Sequence, residues 1–282
     1  MESFLSSSES QLTYTRTGTG RPLICVPGGP LLTAEYLGDL GGLDRHAELV
    51  LFNPPGSIPD ASLGVDAYRC DNVAEDLEAL RQHLGLERLD LFGHSAGANI
   101  VLRYAEYHPE RVSRLVLVTP STRAVGIEIT DEARSEVARS RATEPWFDDA
   151  FAALGRIQAQ NAVDSDWDAI TPFSYGRWDA DAQIFDARME ASRNLDAAAR
   201  FGAAGAFDPP VTRSALGKLR APVTVLAGGI DIRAPIQAME ELTDIFPTGE
   251  LLIQPDAGHF PWIDDPAAFV ALLAPHRGSR CL

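Results

Sequence analysis

Short apolar runs and helix-period stripes alternate along the first part of the chain and again along its end. The runs at 22–26, 48–52, 88–92 and 114–118 are dense in Val, Leu, Ile and Phe, as strands buried in a parallel sheet are. Residues 11–16 are read as a further strand. Val73, Leu77, Leu80 and Leu84 recur at helical spacing and give the segment 73–84 one apolar face. Residues 99–107 form a second predicted helix. From about 122 to 218 the strand rhythm stops, and the chain is rich in Ala, Asp and Arg and helical in tendency. The alternation resumes with a strand at 223–227, a helix at 235–245, a strand at 250–253 and a helix at 266–273. Pro235 and Pro266 suit first helical turns, and Asp265 is a plausible cap for the last helix. Strands alternating with helices predict an α/β fold with a mostly parallel sheet flanked by helices. The expected organisation is a core in two parts, 1–121 and 219–282, with a helical cap at 122–218 inserted between them.

One motif sits at a decisive point in this pattern. Gly93-His94-Ser95-Ala96-Gly97 follows a predicted strand and precedes a predicted helix, the context a nucleophile elbow requires. The turn is tight enough that glycines two residues before and after the serine relieve crowding. Ser95 is then lifted to the N-terminus of a helix, where negative charge is favoured. A nucleophilic serine needs a base and a carboxylate to orient it, in the chain order serine, acid, histidine.

Of six histidines, His259 is the candidate base. It lies in Gln254-Pro255-Asp256-Ala257-Gly258-His259-Phe260-Pro261-Trp262, in a loop leaving a late strand. His94 belongs to the elbow, and its side chain should point into supporting structure. His46, His83, His108 and His276 read as surface or capping residues. Asp231 is the candidate acid, two residues after the strand-like run Val223 to Gly229, at the sheet edge where open α/β folds build their sites. Its competing role is to cap the helix that Pro235 begins, and Asp256 is the understudy. Acyl transfer also needs N–H donors for the developing oxyanion. Ala96 supplies one. The loop Pro27-Gly28-Gly29-Pro30 supplies the other from Gly28 or Gly29, since proline has no N–H, and Gly29 is preferred. A tight turn with positive φ is the plainer reading of this loop.

Together these segments resemble the α/β-hydrolase superfamily, and within it the proline-iminopeptidase-like branch, from about residue 12 to 275. The resemblance implies Ser95, Asp231 and His259 as a catalytic triad, a capped α/β core, and hydrolysis with no metal or cofactor. Two loops depart from the branch. Pro27 and Leu31 replace the outer residues of its His-Gly-Gly-Pro-Gly, and Asn53-Pro54-Pro55-Gly56 stands where it has Asp-Gln-Arg-Gly.

The chain is 282 residues long and 45% hydrophobic, enough to bury a large core. A net charge of −16 argues against a nucleic-acid or anionic-membrane partner. The N-terminus has no basic, signal-like segment and no run reaches spanning length, so a cytoplasmic location is expected; oligomeric state stays open. Cys25, Cys70 and Cys281 are too few and too far apart for a disulfide framework or zinc site. The insertion carries Trp146, Trp167, Trp178, Phe147, Phe151, Phe173, Tyr175 and Phe185. Most should pack its own core, and some should wall a mainly apolar pocket. Glu128, Glu132, Glu136, Glu144 and Glu190 also lie there; the first three recur every four residues and could share a helix face. The leading expectation is a serine hydrolase acting on a carboxyl ester or related acyl bond of a small, largely apolar molecule. A proline iminopeptidase is the close alternative, and a non-catalytic ligand-binding homologue the alternative of another class. Cyclisation or transacylation through the same triad is not separable from hydrolysis by sequence.

Overall fold

The computed structural model describes residues 1–6, 10–58 and 64–274. Four strands open the chain: β1 (Glu2–Leu5), β2 (Gln11–Thr17), β3 (Pro22–Val26) and β4 (Glu48–Asn53). Then come α1 (Cys70–His83), β5 (Leu89–His94), α2 (Ala96–Tyr107) and β6 (Val112–Val118). Six helices follow without a strand: α3 (Asp131–Arg139), α4 (Phe147–Gln158), α5 (Asp164–Ala169), α6 (Ala180–Ala191), α7 (Leu195–Phe201) and α8 (Pro209–Leu216). The chain closes with β7 (Val223–Gly228), α9 (Ile236–Thr243), β8 (Gly249–Gln254), α10 (Pro261–Asp264) and α11 (Pro266–Leu273).

The eight strands form one sheet in the order β1-β2-β4-β3-β5-β6-β7-β8. Pairings from β4 to β8 are parallel, and β1–β2 and β2–β4 are antiparallel. This is the expected α/β-hydrolase architecture, with one addition. β1 was not anticipated, because only Phe4 of Glu2–Leu5 is buried and four residues carry too little pattern. Its pairing with β2, not its composition, makes it a strand.

Period-two alternation divides the core between the sheet's two faces. Ile24, Val50, Leu91, Leu117 and Val225 pack with α1, α2 and α9 on one side. Leu23, Leu49, Phe92, Val116 and Leu226 pack with Trp262 and Phe269 on the other. Cys25 and Cys70 are free and buried in these two layers. His276 and Cys281 lie outside the described residues.

The insertion has a smaller core of its own: Ala138, Ala150, Leu154 and Phe173 close over Ile232, with Trp146, Phe147 and Phe151 packed against them. Tyr175, Trp178 and Phe185 instead join the main core, and Trp167 is exposed. Short polar residues start most of these helices, as N-cap chemistry demands: Thr130, Asp179, Asn194 and Asp208 each accept a backbone N–H of the first turn. Because α3 begins at Asp131, Glu128 precedes it and shares no helix face with Glu132 and Glu136.

Candidate active site

β5 ends at His94 and α2 begins at Ala96, so Ser95 alone makes the turn, at φ 50° and ψ −121°. A non-glycine residue held there costs on the order of 1–3 kcal/mol, and the packing around it must impose that geometry. The flanking glycines are explained by distance. A Cβ on Gly93 would lie 2.8 Å from Ala98 Cα, and one on Gly97 would lie 2.4 Å from the Pro27 carbonyl oxygen.

The structure brings the three expected side chains together. Ser95 Oγ is 2.8 Å from His259 Nε2, and His259 Nδ1 is 2.7 Å from Asp231 Oδ2. Asp231 is fully buried and His259 nearly so. The other Asp231 oxygen accepts the Arg233 N–H at 2.7 Å, while α9 starts five residues after Asp231 with no side-chain cap. Capping therefore does not explain Asp231. Asp256 is exposed in the turn before the histidine.

A second chain of hydrogen bonds supports the first. His94 is buried, and burial, reinforced by the neighbouring His259, holds its pKa well below the usual imidazole value. A neutral imidazole has one N–H. Its Nε2 is 2.9 Å from the His259 carbonyl oxygen, an acceptor only, so the proton sits on Nε2. Its Nδ1 then accepts, at 2.6 Å, from the Tyr36 hydroxyl. Tyr36 Oη in turn accepts the Gly28 N–H at 2.6 Å. This run links the glycine loop after β3, the elbow and the histidine loop. It also commits the Gly28 N–H, whereas the Gly29 N–H has no protein acceptor among the described residues. Thr119 Oγ1 donates to the same His259 carbonyl at 2.9 Å, and the His259 N–H donates to Ser174 O at 2.7 Å.

Ser95 and His259 open onto a cavity of about 540 Å³, within the usual range for small-molecule sites. Its walls do not match the mainly apolar pocket expected. Ile127 and Ile129 contribute, but so do Ser121, Arg123, Arg134 and Arg233. Apart from the exposed Trp167, the aromatic residues singled out in the insertion are spent on packing instead. A narrower recess on the Gly29 side is bounded by Asp186, Glu190 and Arg193. Sequence reasoning missed Tyr36, Ser174 and Arg134. None sits in a motif, and only the fold brings them beside the elbow.

A family model described as alpha/beta hydrolase fold matches residues 21–266. The chain belongs to the alpha/beta hydrolase fold family. It is similar to the proline iminopeptidase of Heyndrickxia coagulans, 21% identical over 96% of each chain. Among solved structures it is similar to an esterase from Exiguobacterium antarcticum, with TM-score 0.73, 15% identity and coverage of 97% and 98% of the two chains. It is also similar to the proline iminopeptidase of Mycobacterium smegmatis, with TM-score 0.69, 20% identity and coverage of 98% and 96%. At these identities the structural likenesses speak to the fold. The enzyme class expected from sequence, an α/β-fold hydrolase, stands. Among the described residues no helix is long and apolar enough to cross a membrane, and no group of His, Cys, Asp or Glu is placed to hold a metal ion.

Proposed function

We propose that this hydrolase cleaves an ester or related acyl bond of a small molecule through Ser95, His259 and Asp231. The observation that carries the reading is the unbroken run from Ser95 Oγ through His259 to Asp231, at 2.8 and 2.7 Å. His259 Nε2 accepts the Ser95 proton as Oγ attacks the carbonyl carbon. Asp231 holds the proton on Nδ1 and stabilises the imidazolium that forms. The N–H groups of Gly29 and Ala96 bind the oxyanion. The leaving group departs with the proton from His259, and water releases the acyl group by the same route. The insertion at 122–218 acts as a cap that walls the cavity and limits water.

Proline iminopeptidase activity is the second reading. Its support is the similarity to iminopeptidases and the carboxylates Asp186 and Glu190 beside Ser95. Both carboxylates already have partners, Tyr175 Oη at 2.8 Å and Arg193 at 2.5 Å, so the ester reading ranks first. The test is labelling by a fluorophosphonate in wild type and Ser95→Ala, with short-chain p-nitrophenyl esters and the p-nitroanilides of proline and alanine assayed in parallel. The ester reading expects labelling and ester turnover that depend on Ser95. Anilide cleavage instead would favour the peptidase. A wild type that is neither labelled nor active would defeat both.

A further inference from the structure

The cavity beside Ser95 carries positive charge that no ion pair among the described residues neutralises. Arg134, from α3, and Arg233, two residues after Asp231, both line it together with Ser95 and His259. Arg134 Nη1 donates to the Ile232 carbonyl at 2.9 Å, and Arg233 Nε donates to Ser174 Oγ at 3.0 Å. Both acceptors are neutral. Among the described residues no carboxylate lies within 4.0 Å of either guanidinium, whereas most other arginines of this acidic chain are ion-paired. Of the acids nearby, Asp131 is exposed and forms no ion pair, though it acts on Arg134 at a distance, and the other three are engaged elsewhere. Asp231 is bonded to His259, Asp186 to Tyr175 and Glu190 to Arg193. Glu128, on the rim of the cavity, is exposed and forms no ion pair. The third arginine of the wall, Arg123, is turned to the Gly202 carbonyl and the Phe207 ring.

Two like charges converging on one cavity repel each other, and burial adds to the cost. Burial drives the Arg134 guanidinium below its ordinary pKa; Asp231 and Asp131 at a distance oppose this, and Arg233 adds to it. Such an arrangement is stabilised when an anion enters and takes charge-assisted hydrogen bonds from both. The same pair offsets, locally, the repulsion that a protein of net charge −16 exerts on any anion.

We infer that Arg134 and Arg233 form an anion subsite, and that the substrate is a small ester carrying a free carboxylate beyond the scissile bond. The inference rests on the hydrolase reading for the position of that bond. The guanidiniums hold the carboxylate while Ser95 attacks the ester carbonyl, and the expected largely apolar substrate gives way to an amphipathic one.

The test compares isosteric esters that differ only in charge: methyl hydrogen glutarate against methyl 4-carbamoylbutanoate, and 3-acetoxypropionate against 3-acetoxypropanamide. The pairs place the carboxylate on the acyl and the alcohol side, and hydrolysis is followed by pH-stat. Wild type should prefer the anionic member of at least one pair by about 10- to 100-fold in kcat/KM, the range for a charged hydrogen-bonded contact. In Arg134→Met/Arg233→Met that ratio should fall to within about 3-fold of unity, and Arg→Lys variants should recover part of it. Raising the salt from 0.05 to 0.5 M should shrink the wild-type ratio. No preference in wild type, or a ratio unchanged in the double variant, would overturn the subsite and leave the hydrolase reading intact. If wild type hydrolyses none of the four and Ser95 is not labelled, the hydrolase reading has failed. The subsite is then decided by calorimetric titration of Ser95→Ala with methyl hydrogen glutarate and its amide. Binding of the anion alone, lost with the two arginines, supports it; equal or absent binding overturns it.

Discussion

Removing one hydroxyl, in Tyr36→Phe, should disable the site without touching the triad. Tyr36 Oη accepts the Gly28 N–H and donates to His94 Nδ1, each at 2.6 Å. Phenylalanine keeps the ring in its packing against Phe185, Phe260 and Trp262. It leaves a backbone donor and an imidazole acceptor without a partner. An orphaned buried polar group costs about 1–3 kcal/mol, so the two together cost roughly 2–6 kcal/mol if nothing rearranges. Relaxation lowers that cost by letting the glycine loop move, which carries the Gly29 N–H out of place, or by letting His94 turn, which releases the His259 carbonyl. Either movement acts on the transition state more than on ground-state binding. The expected result is a fall in kcat of about 10- to 100-fold with KM within a few-fold, short of the roughly 100- to 1,000-fold loss when an oxyanion donor is removed outright.

Two assays check this reasoning. Ester hydrolysis separates kcat from KM, and urea unfolding reads the stability cost. His94→Gln should mimic the activity loss, and combining it with Tyr36→Phe should cost less than the sum, because both cut one chain of hydrogen bonds. Wild-type kcat together with a wild-type unfolding midpoint would refute the argument. A stability loss with unaltered kcat would reduce Tyr36 to a structural role.

Other perturbations follow from single contacts. Gly97→Ala places a Cβ 2.4 Å from Pro27 O and 2.5 Å from Val26 O; forcing α2 off β3 should cost about 1–3 kcal/mol, and a wild-type urea midpoint would contradict this. Phe173→Ala empties a fully buried position in the core of the insertion, with an expected loss of about 3–5 kcal/mol read by thermal or chemical unfolding. Asp264 accepts the N–H groups of Gly176 and Gly258 at 2.8 Å each, yet burial pushes its pKa up to about 6. A carboxyl raised above its unfolded value binds its proton more tightly when folded, so its contribution to stability falls as pH rises from about 4 to about 6. Asp264→Asn should therefore lose ground to wild type at pH 4 and regain part of it by pH 7. A stability gap that is constant, or widens with pH, would count against it.

The strands, the elbow and the loops that carry Asp231 and His259 were legible because each is local. A buried strand is an apolar run, and an elbow is five residues with two glycines where a Cβ would strike backbone. The loop at Asp231 could be placed because a strand ends just before it. What was not legible depends on chain segments far apart. Tyr36 meets His94 across 58 residues, Ser174 meets Arg233 across 59 and Arg134 meets Ile232 across 98. No periodicity announces such pairs. The pocket wall was misjudged for a related reason. Aromatic residues counted along the insertion suggest an apolar lining, but packing decides which of them stay free. Phe173, Trp146 and Phe147 are consumed by the insertion's own core, and Tyr175 and Phe185 by the main one. The arginines remain at the cavity because no carboxylate is placed to draw them away.

The insertion is also tied to the main chain at His259 more closely than a simple cover would be. The main chain at His259 is held from both sides. His94 and Thr119, from the sheet core, donate to its carbonyl, and Ser174, from the insertion, accepts its N–H at 2.7 Å. Next to it, Gly258 passes so close to the insertion that a Cβ there would lie 2.5 Å from Ser174 O. Asp264 clasps Gly176 and Gly258 in one carboxylate. The segment 174–176 therefore cannot swing away without releasing the main chain at His259. Any opening of the cavity to admit substrate must come from parts of the insertion outside this clasp. α3 is the element that matters most there, because it carries Arg134 over the cavity and is anchored to the acid loop through the Ile232 carbonyl. Movement of α3 would part Arg134 from Arg233, and an anion bridging the two guanidiniums would draw it back. Substrate charge and closure are then coupled, since a ligand shifts a conformational equilibrium only by binding its states unequally. Tryptic cleavage within 123–139 should slow when methyl hydrogen glutarate is added to Ser95→Ala, and the isosteric amide should leave it unchanged. Equal protection by both ligands would separate closure from charge.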